Sequence, residues 1–220
     1  MKECTLIIGN KNYSSWSFRA WFALKLTGTA FTEMLVPLDT PDMRPTVKKY
    51  SPAGKVPVLV HGEHAVWDSL AIAEYLAELF PEKQLWPEEV HERALARSVV
   101  AEMHSGFQAM RQQIPMNMRA SFPNTPIDAD AKADVARILD IWKSCRAAHN
   151  KQGDFLFGHI TIADCYFAPV VSRFATYQVA LDPVSAAYAE AVQAHPVYQE
   201  WKQAALKETF MIDKYERKAA

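Results

Sequence analysis

Pro57 stands at a place in the chain where a proline needs a chemical reason. It comes immediately before an apolar, β-branched run, Val58–Val60, in which a missing N–H and a fixed φ would disturb a strand. An X-Pro bond is the one peptide bond that adopts cis cheaply. A cis bond after Val56 would turn the N–H and C=O of Val56 outward, where they could pair with a peptide-like ligand as an added strand does.

Asp68 and Ser69 lie a few residues further on, at the predicted N-terminus of an amphipathic helix. The free N–H groups and the dipole of a helix N-terminus favour a carboxylate. Asp68 could therefore take the ammonium of an α-amino acid, while Ser69 and its N–H take the carboxylate. Each feature alone has a commoner explanation, a turn proline or an ordinary N-cap, so the indication rests on their ordered combination.

The elements around these residues are short and clearly marked. Val58–Val60 reads as a strand, 61–64 as a hairpin turn in which Gly62 is free to take positive φ, and 65–67 as the return strand. The helix that follows repeats its apolar residues at helical spacing. These are Ile72, Tyr75, Leu76, Leu79 and Phe80.

The preceding stretch predicts a strand at Thr5–Ile8, a helix from Ser14 to about Thr27, and a second strand at Phe31–Leu38. The resulting order, β-α-β followed by β-β-α, is typical of a thioredoxin-like domain. We place this α/β domain at 1–81 and a Pro-broken linker at 82–89, followed by an all-α domain at 90–220.

The second domain contains several amphipathic helices. Their predicted ranges are Val90–Ile114, Asp128–Ala148, Thr161–Phe174, Pro183–His195 and Pro196–Leu206. Thr161 and Asp164 have the spacing of a capping box, which serves folding rather than catalysis.

Composition excludes several classes of function. The formal net charge is −1 and no basic stripe occurs, which argues against a nucleic-acid partner. No apolar run is long enough to cross a membrane, and the apolar start is too short for a signal peptide. Three scattered cysteines indicate a reducing, cytoplasmic compartment. Seven histidines, the isolated His104 among them, lack metal-ligand spacing, so no metal site is expected.

The segment KVPVLV…WDSLAIAEYL resembles the glutathione-binding half of glutathione S-transferases, and the resemblance extends over the whole chain. It implies a cis Pro57, main-chain pairing of glutathione with Val56 beside Lys55, and a γ-glutamyl group held by Asp68 and Ser69. It also implies a thioredoxin-like domain followed by a helical domain, and a two-fold homodimer.

The stretch Tyr13–Arg19, YSSWSFR, resembles the zeta-class signature of this family, with Trp16 in place of its cysteine. The resemblance implies that Ser14 donates a hydrogen bond to the glutathione thiolate and that Ser15 is its neighbour. A thiol with a pKa of about 8.5 needs such help to ionise at neutral pH. Ser15 is the main alternative donor, and Tyr13 or backbone N–H groups are the next; a plain helix cap is the commonest role for such serines.

A stripe in the helical domain could line a pocket for a second substrate. It consists of Met103, Phe107 and Met110, although such stripes are more often core; Gln108 falls where zeta enzymes present a glutamine. The zeta isomerases also place an arginine in a later helix, and an ungapped alignment puts Thr176 there, with Arg173 one turn earlier.

The sequence therefore predicts a glutathione transferase that joins glutathione to small, mostly apolar electrophiles, a detoxification activity. A glutathione-dependent isomerase of the maleylacetoacetate kind is one alternative. A non-enzymatic binding or scaffold protein with the same fold is another.

Overall fold

The computed structural model describes residues 3–149 and 152–216, and its first part is a four-stranded mixed sheet. The strands are β1 (Cys4–Ile8), β2 (Thr32–Leu35), β3 (Val58–His61) and β4 (His64–Trp67), in the spatial order β2-β1-β3-β4. β1 is parallel to β2 and antiparallel to β3, which pairs antiparallel with β4. This is the predicted thioredoxin-like arrangement.

The strand limits follow from which N–H groups can pair. The β3–β4 hairpin closes at the His61–His64 pair, and Gly62 takes φ 62° in its two-residue turn, as the sequence predicts. β2 is shorter than the predicted Phe31–Leu38. The Val36 N–H still donates to Ile8 at 2.8 Å, but Pro37 has no N–H with which to continue the ladder.

Helices occupy most of the remaining described chain. They are α1 (Ser15–Leu26), α2 (Met43–Val47), α3 (Ser69–Leu79), α4 (Val90–Ser105), α5 (Gln108–Gln113), α6 (Ala129–His149), α7 (Ile162–Tyr177), α8 (Pro183–Ala194) and α9 (Pro196–Lys207). The α/β part is thus followed by an all-α part, which confirms the predicted fold class. The predicted domain limits stay a prediction, and their ends at 1–2 and 217–220 lie outside the described residues.

The predicted single helix Val90–Ile114 is wrong, because the chain breaks it into α4 and α5. Gly106 caps α4 in an extended conformation, and Phe107 takes φ 62°, which no residue inside a right-handed helix adopts. The apolar repeat continues through this break, so hydrophobic spacing alone does not reveal it.

Helix α1 lies between the sheet and the helical bundle and is buried along most of its length. Phe18 stacks on Trp201 of α9 with ring centroids 4.8 Å apart, and Trp21 packs against the same indole at 5.1 Å. The Trp201 Nε1–H donates to the carbonyl oxygen of Lys11 at 3.0 Å. Large aromatic surfaces therefore fix the helical part against the first helix.

The predicted capping box at the start of α7 is present and completely buried. The Asp164 carboxylate accepts hydrogen bonds from the N–H groups of Leu156 (3.0 Å) and Thr161 (2.7 Å), and from the hydroxyls of Thr161 (3.1 Å) and Tyr188 (3.2 Å). Burial raises the pKa of Asp164 to about 6, while these hydrogen bonds act in the opposite direction. The carboxylate thus joins α7, α8 and the loop before α7.

We expect Asp164→Ala to lower the free energy of unfolding by about 3 kcal/mol or more, because several buried donors lose their acceptor together. Urea unfolding followed by circular dichroism measures this change. The control is Asp140→Ala, which removes an exposed carboxylate paired with Lys143 on the surface of α6 and should change stability by less than about 0.5 kcal/mol. Equal effects of the two substitutions would contradict this structural role.

Candidate active site

Ser14 caps the N-terminus of α1 through a pair of hydroxyls. Its Oγ accepts from the Ser17 N–H at 3.3 Å and donates to Ser17 Oγ at 2.7 Å, while Ser17 Oγ accepts from the Gly9 N–H at 3.0 Å. A hydroxyl rotates about its C–O bond, so Ser17 can reverse the bond and donate to Ser14 while still accepting from Gly9. That reversal releases the Ser14 hydrogen toward the cavity that Ser14 lines.

Ser15 faces the same cavity from the first residue of α1. Its Oγ accepts from Nη2 of the buried Arg173 of α7 at 3.2 Å, which leaves its own hydroxyl hydrogen available to a ligand. Ser14 and Ser15 are therefore both able to donate into this cavity from a helix N-terminus.

Tyr13 is oriented differently from the serines. Its hydroxyl accepts from Nη2 of Arg119 at 2.7 Å and from the Ile212 N–H at 3.3 Å, and it donates to the Glu216 carboxylate. Burial, together with the bond to Glu216, raises the pKa of Tyr13. The ring lines the cavity, but the hydroxyl is committed to the segment after α9, so Tyr13 is a poor candidate for a thiolate donor.

One of two adjoining cavities, which we call the first cavity, brings together the predicted residues of the V-P strand and of the α3 N-terminus. It has a volume of about 420 Å³, and the Val56–Pro57 peptide bond beside it is cis. Its lining residues are Trp16, Ala53, Lys55, Val56, Pro57, Trp67, Asp68 and Ser69. The two ends of the segment 53–69 thus converge with Trp16 near the start of α1.

The start of α3 is held by short polar contacts. Asp68 is the N-cap residue with φ 72°, and its Oδ1 accepts from the Leu70 N–H at 2.8 Å. The Ser69 hydroxyl shares a 3.0 Å hydrogen bond with the hydroxyl of Tyr166 on α7. The remaining carboxylate oxygen of Asp68 points toward His104.

His104 is isolated in the sequence but not in the structure. Its Nε2 lies 3.6 Å from Oδ2 of Asp68, and its ring meets the edge of Trp16 with centroids 5.1 Å apart. Its Nδ1 is buried and has no hydrogen-bond partner among the described residues. Burial lowers the pKa of His104, and the Asp68 carboxylate partly offsets this effect.

The second cavity adjoins the first and has a volume of about 440 Å³. Trp16, Lys55 and Val56 line both cavities. Other residues that line the second one are Tyr13, Ser14, Ser15, Leu38, Met43, Gln108, Arg111, Pro115, Met116, Arg173 and Tyr215. This second cavity is therefore polar and cationic on one side and apolar on the other.

The predicted substrate residues divide between cavity and core. Gln108 lines the second cavity, whereas Met103 and Met110 are completely buried and Phe107 is only 7% exposed, all three within the hydrophobic core. The chain turns sharply at Gly106, so α5 presents Gln108 to the cavity while the apolar stripe packs inward. We retain only Gln108 as a candidate substrate contact.

Three arginines surround the junction of the cavities, and sequence reasoning gave none of them a role. Arg19 is completely buried between the rings of Trp16 and Tyr166, with its guanidinium carbon 4.7 Å from each centroid. Arg111 also lies over the Trp16 ring, with its guanidinium carbon 5.2 Å from the centroid. Arg173, and not Thr176, lines the second cavity.

The arginines carry more positive charge than their neighbours neutralise. Within residues 3–149 and 152–216, none of the three Arg19 guanidinium nitrogens has a hydrogen-bond partner. Nε of Arg173 likewise has none there. Burial lowers the pKa of Arg19 and of Arg173 to about 9, and the charge of Arg111 acts in the same direction. A site with this excess of buried positive charge is suited to an anion.

Within the described ranges, no group of three or more His, Cys, Asp or Glu side chains is placed to hold a metal ion. Similarly, no helix in the described part of the chain is long and apolar enough to cross a membrane.

Comparison with known families assigns both halves of the chain. Residues 13–79 match the family model "Glutathione S-transferase, N-terminal domain", and residues 89–204 match "Glutathione S-transferase, C-terminal domain". The first range covers α1 to α3 of the α/β part, and the second range covers most of the all-α part. The chain belongs to the glutathione S-transferase family.

Individual relatives agree with this assignment. Glutathione S-transferase 1 of Dianthus caryophyllus is 38% identical over 105 residues, 47% of this chain and 48% of the relative, so that the match spans about half the relative's length. Maleylpyruvate isomerase of Ralstonia sp is 28% identical over 79% of this chain and 86% of its own. A solved glutathione transferase homologue from Burkholderia gl BGR1, with bound glutathione, has 26% identity and a TM-score of 0.71 over 93% and 98% of the two chains.

The unpaired charge in α1 leads to a prediction about stability. We expect Arg19→Met to leave the free energy of unfolding unchanged or to raise it by about 1 kcal/mol, because an apolar side chain of similar length avoids burying an unpaired charge. Arg137→Met is the control; it removes an exposed guanidinium paired with Glu102 and should change stability by less than about 0.5 kcal/mol. A loss of more than about 2 kcal/mol in Arg19→Met would show that stacking on Trp16 and Tyr166 outweighs desolvation.

Proposed function

We propose that this protein is a glutathione-dependent enzyme of the serine type, which adds the glutathione thiolate to a small electrophile. The observation that supports this proposal is the convergence of Ser14 and Ser15 with the V-P strand and with Asp68–Ser69 around two adjoining cavities. One cavity has the chemistry for a γ-glutamyl peptide, and the other has room for a second substrate.

Glutathione carries one ammonium and two carboxylates, and the first cavity offers a partner for each end. Asp68 would take the γ-glutamyl ammonium, and Ser69 with the N–H groups of α3 would take its carboxylate. The main chain of Val56 would pair with the cysteinyl residue as an added strand. Lys55, at the border of both cavities, is suited to the glycyl carboxylate.

The proposed chemical role of the α1 N-terminus is to stabilise a thiolate. A thiol with a pKa of about 8.5 is only a few per cent ionised at neutral pH. Ser14, released by rotation of the Ser17 hydroxyl, would donate to the sulfur, with Ser15 as its neighbour. The positive end of α1 and the nearby guanidinium groups favour the same charged form.

Comparison of Ser14→Ala with Ser15→Ala tests this mechanism. We expect Ser14→Ala to lower turnover by ~100-fold, the scale of losing one anion-stabilising donor, while glutathione affinity stays nearly constant because Asp68, Ser69 and Val56 still hold the peptide. The ultraviolet absorbance of the bound thiolate should titrate at higher pH in this variant. Turnover is measured with halogenated nitroaromatics, isothiocyanates, peroxides and maleylacetone.

The two serines distinguish the outcomes of that comparison. If Ser15→Ala loses turnover and the thiolate titration while Ser14→Ala keeps both, Ser15 is the donor. If neither variant differs from the wild type, the serine mechanism is wrong. If the wild-type protein binds glutathione but turns over none of these electrophiles, a binding or scaffold role takes precedence.

A specific observation favours a second candidate, a glutathione-dependent isomerase of an anionic, unsaturated substrate. Arg111 and Arg173 line the second cavity beside Ser15, a lining less apolar than the sequence predicts. The maleylpyruvate isomerase and probable maleylacetoacetate isomerase relatives support the same candidate by their names. In such a reaction the thiolate adds to an activated double bond, the new single bond rotates, and elimination restores both glutathione and the double bond.

Arg111 allows the two candidates to be compared by substrate charge. We expect Arg111→Met to raise the KM for the anion maleylacetone by at least ~10-fold, because a charge-assisted contact is worth about 1.5–3 kcal/mol. Catalytic efficiency with the uncharged 1-chloro-2,4-dinitrobenzene should change less than about threefold. Arg111→Lys retains the charge and should recover part of the KM, whereas equal losses on both substrates would indicate a structural role.

The two-fold homodimer and the cytoplasmic location that the family resemblance implies remain predictions for this chain.

A further inference from the structure

The segment 208–216, which follows α9, returns to the second cavity and contributes a side chain to it. Asp213–Tyr215 forms a short 3-10 turn, and Tyr215 is one of the residues that line the cavity. Its ring lies 5.8 Å from that of Tyr13, and its phenol is close enough to Arg173 to influence that guanidinium. Tyr215 therefore stands on the cavity wall beside Ser14, Ser15 and Arg173.

Arg119, in the loop between α5 and α6, contacts this segment at several points. Arg119 donates to the carbonyl oxygens of Glu208 and Phe210, the latter at 2.9 Å, and its Nη2 lies 3.5 Å from the Glu216 carboxylate. The same Nη2 donates to the Tyr13 hydroxyl at 2.7 Å. Arg119 thus connects three points of the segment to the residue immediately before Ser14.

Contacts with the first domain fix the two ends of the segment. The Glu208 carboxylate accepts from the N–H groups of Lys11 and Asn12 at 2.6 and 2.9 Å, in the loop before α1. Lys214 Nζ lies 2.6 Å from the Asp39 carboxylate. The backbone carbonyl of Tyr215 itself accepts from Asn117 Nδ2 at 3.2 Å.

The side chains along the segment differ in solvent exposure, and Tyr215 is the one that lines the cavity. Ile212 is buried and serves as an apolar anchor, whereas Met211 is 58% exposed and faces solvent. Tyr215 is partly buried and is the aromatic residue of the segment that lines the cavity. A phenol in this position offers both apolar contact and a hydrogen bond to a ligand.

We propose that Tyr215 contacts the second substrate and helps to determine specificity, and that Arg119 is a positioning residue that holds Tyr215 there through Glu208, Phe210 and Tyr13. This inference rests on the proposed function, because it assigns a wall of the cavity in which the electrophile would react. It requires that changes at Tyr215 act on the group attached to the glutathione sulfur and leave glutathione itself bound.

Calorimetric titration of the full chain with three ligands tests the role of Tyr215. The ligands are glutathione, S-hexylglutathione and S-(1,2-dicarboxyethyl)glutathione, which share the peptide and differ at sulfur. We expect Tyr215→Ala to weaken at least one of the S-substituted ligands by ~10-fold, with glutathione changed less than about twofold. Tyr215→Phe separates the aromatic face from the hydroxyl, and Met211→Ala, on the solvent side of the same segment, should change none of the affinities.

The outcomes separate this inference from the proposed function. If the wild-type protein binds glutathione and Tyr215→Ala leaves all three affinities unchanged, the role of Tyr215 is wrong while the proposed function stands. If the wild-type protein binds none of the three ligands, the proposed function fails, and this inference fails with it.

Arg119 is tested by coupling to Tyr215. Arg119→Met should weaken the same S-substituted ligand as Tyr215→Ala does, and the double variant should be no weaker than Tyr215→Ala alone. Trypsin should cut after Lys207 or Lys214 faster in Arg119→Met, while Arg119→Lys restores part of both properties. Additive losses in the double variant would overturn the positioning role. Tyr13→Phe keeps Arg119 but removes the hydrogen bonds of the Tyr13 hydroxyl to Arg119, Ile212 and Glu216, and it provides the same coupling test if Arg119→Met does not fold.

Discussion

Helix α1 is buried by the sheet on one side and by α7 and α9 on the other, and the geometry of the site depends on that burial. Nine of its twelve residues are buried, and Phe18 and Trp21 are among the core residues. Because the first N–H groups of a helix have no partner within the helix, their burial requires acceptors from outside it. The Ser14–Ser17 pair supplies one acceptor and ties the turn to Gly9. Because the helix cannot shift without disturbing the core, its N-terminus occupies one defined place between the two cavities.

The same helix carries an unfavourable charge. Arg19 is enclosed by Trp16 and Tyr166, and we expect its stacking on these rings to offset only part of the cost of removing a guanidinium from water. Arg111 and Arg173 add charge of the same sign across the site. The protein tolerates this arrangement beside the two adjoining cavities, which is where local costs are expected to accompany function. An anionic ligand would relieve the repulsion that the fold itself leaves uncompensated.

Local signals in the sequence are sufficient for the individual strands, the hairpin, the α3 N-terminus and the capping box, because each is set by residues close together in the chain. The break after α4 is not predicted by the sequence. The apolar spacing continues across Gly106, and the positive φ of Phe107 leaves no trace in that spacing. His104 and Arg111 could not be assigned, because their neighbours Asp68 and Trp16 come from another domain. Tyr13 and Glu216, which are in contact, are separated by almost the whole chain, and no short-range sequence pattern predicts such a contact.

The two cavities differ in how the chain builds them, and this difference bears on how the site can vary. Apart from Trp16, the first cavity comes entirely from residues 53–69, a compact unit held by one hairpin and one helix start. The second collects residues from six separate stretches, including those of Gln108, Arg111, Arg173 and Tyr215. A substitution at a residue that lines only the second cavity can alter its shape or charge without moving the first. Trp16, Lys55 and Val56 line both cavities. A substitution at any of these three residues would therefore change the first cavity together with the second.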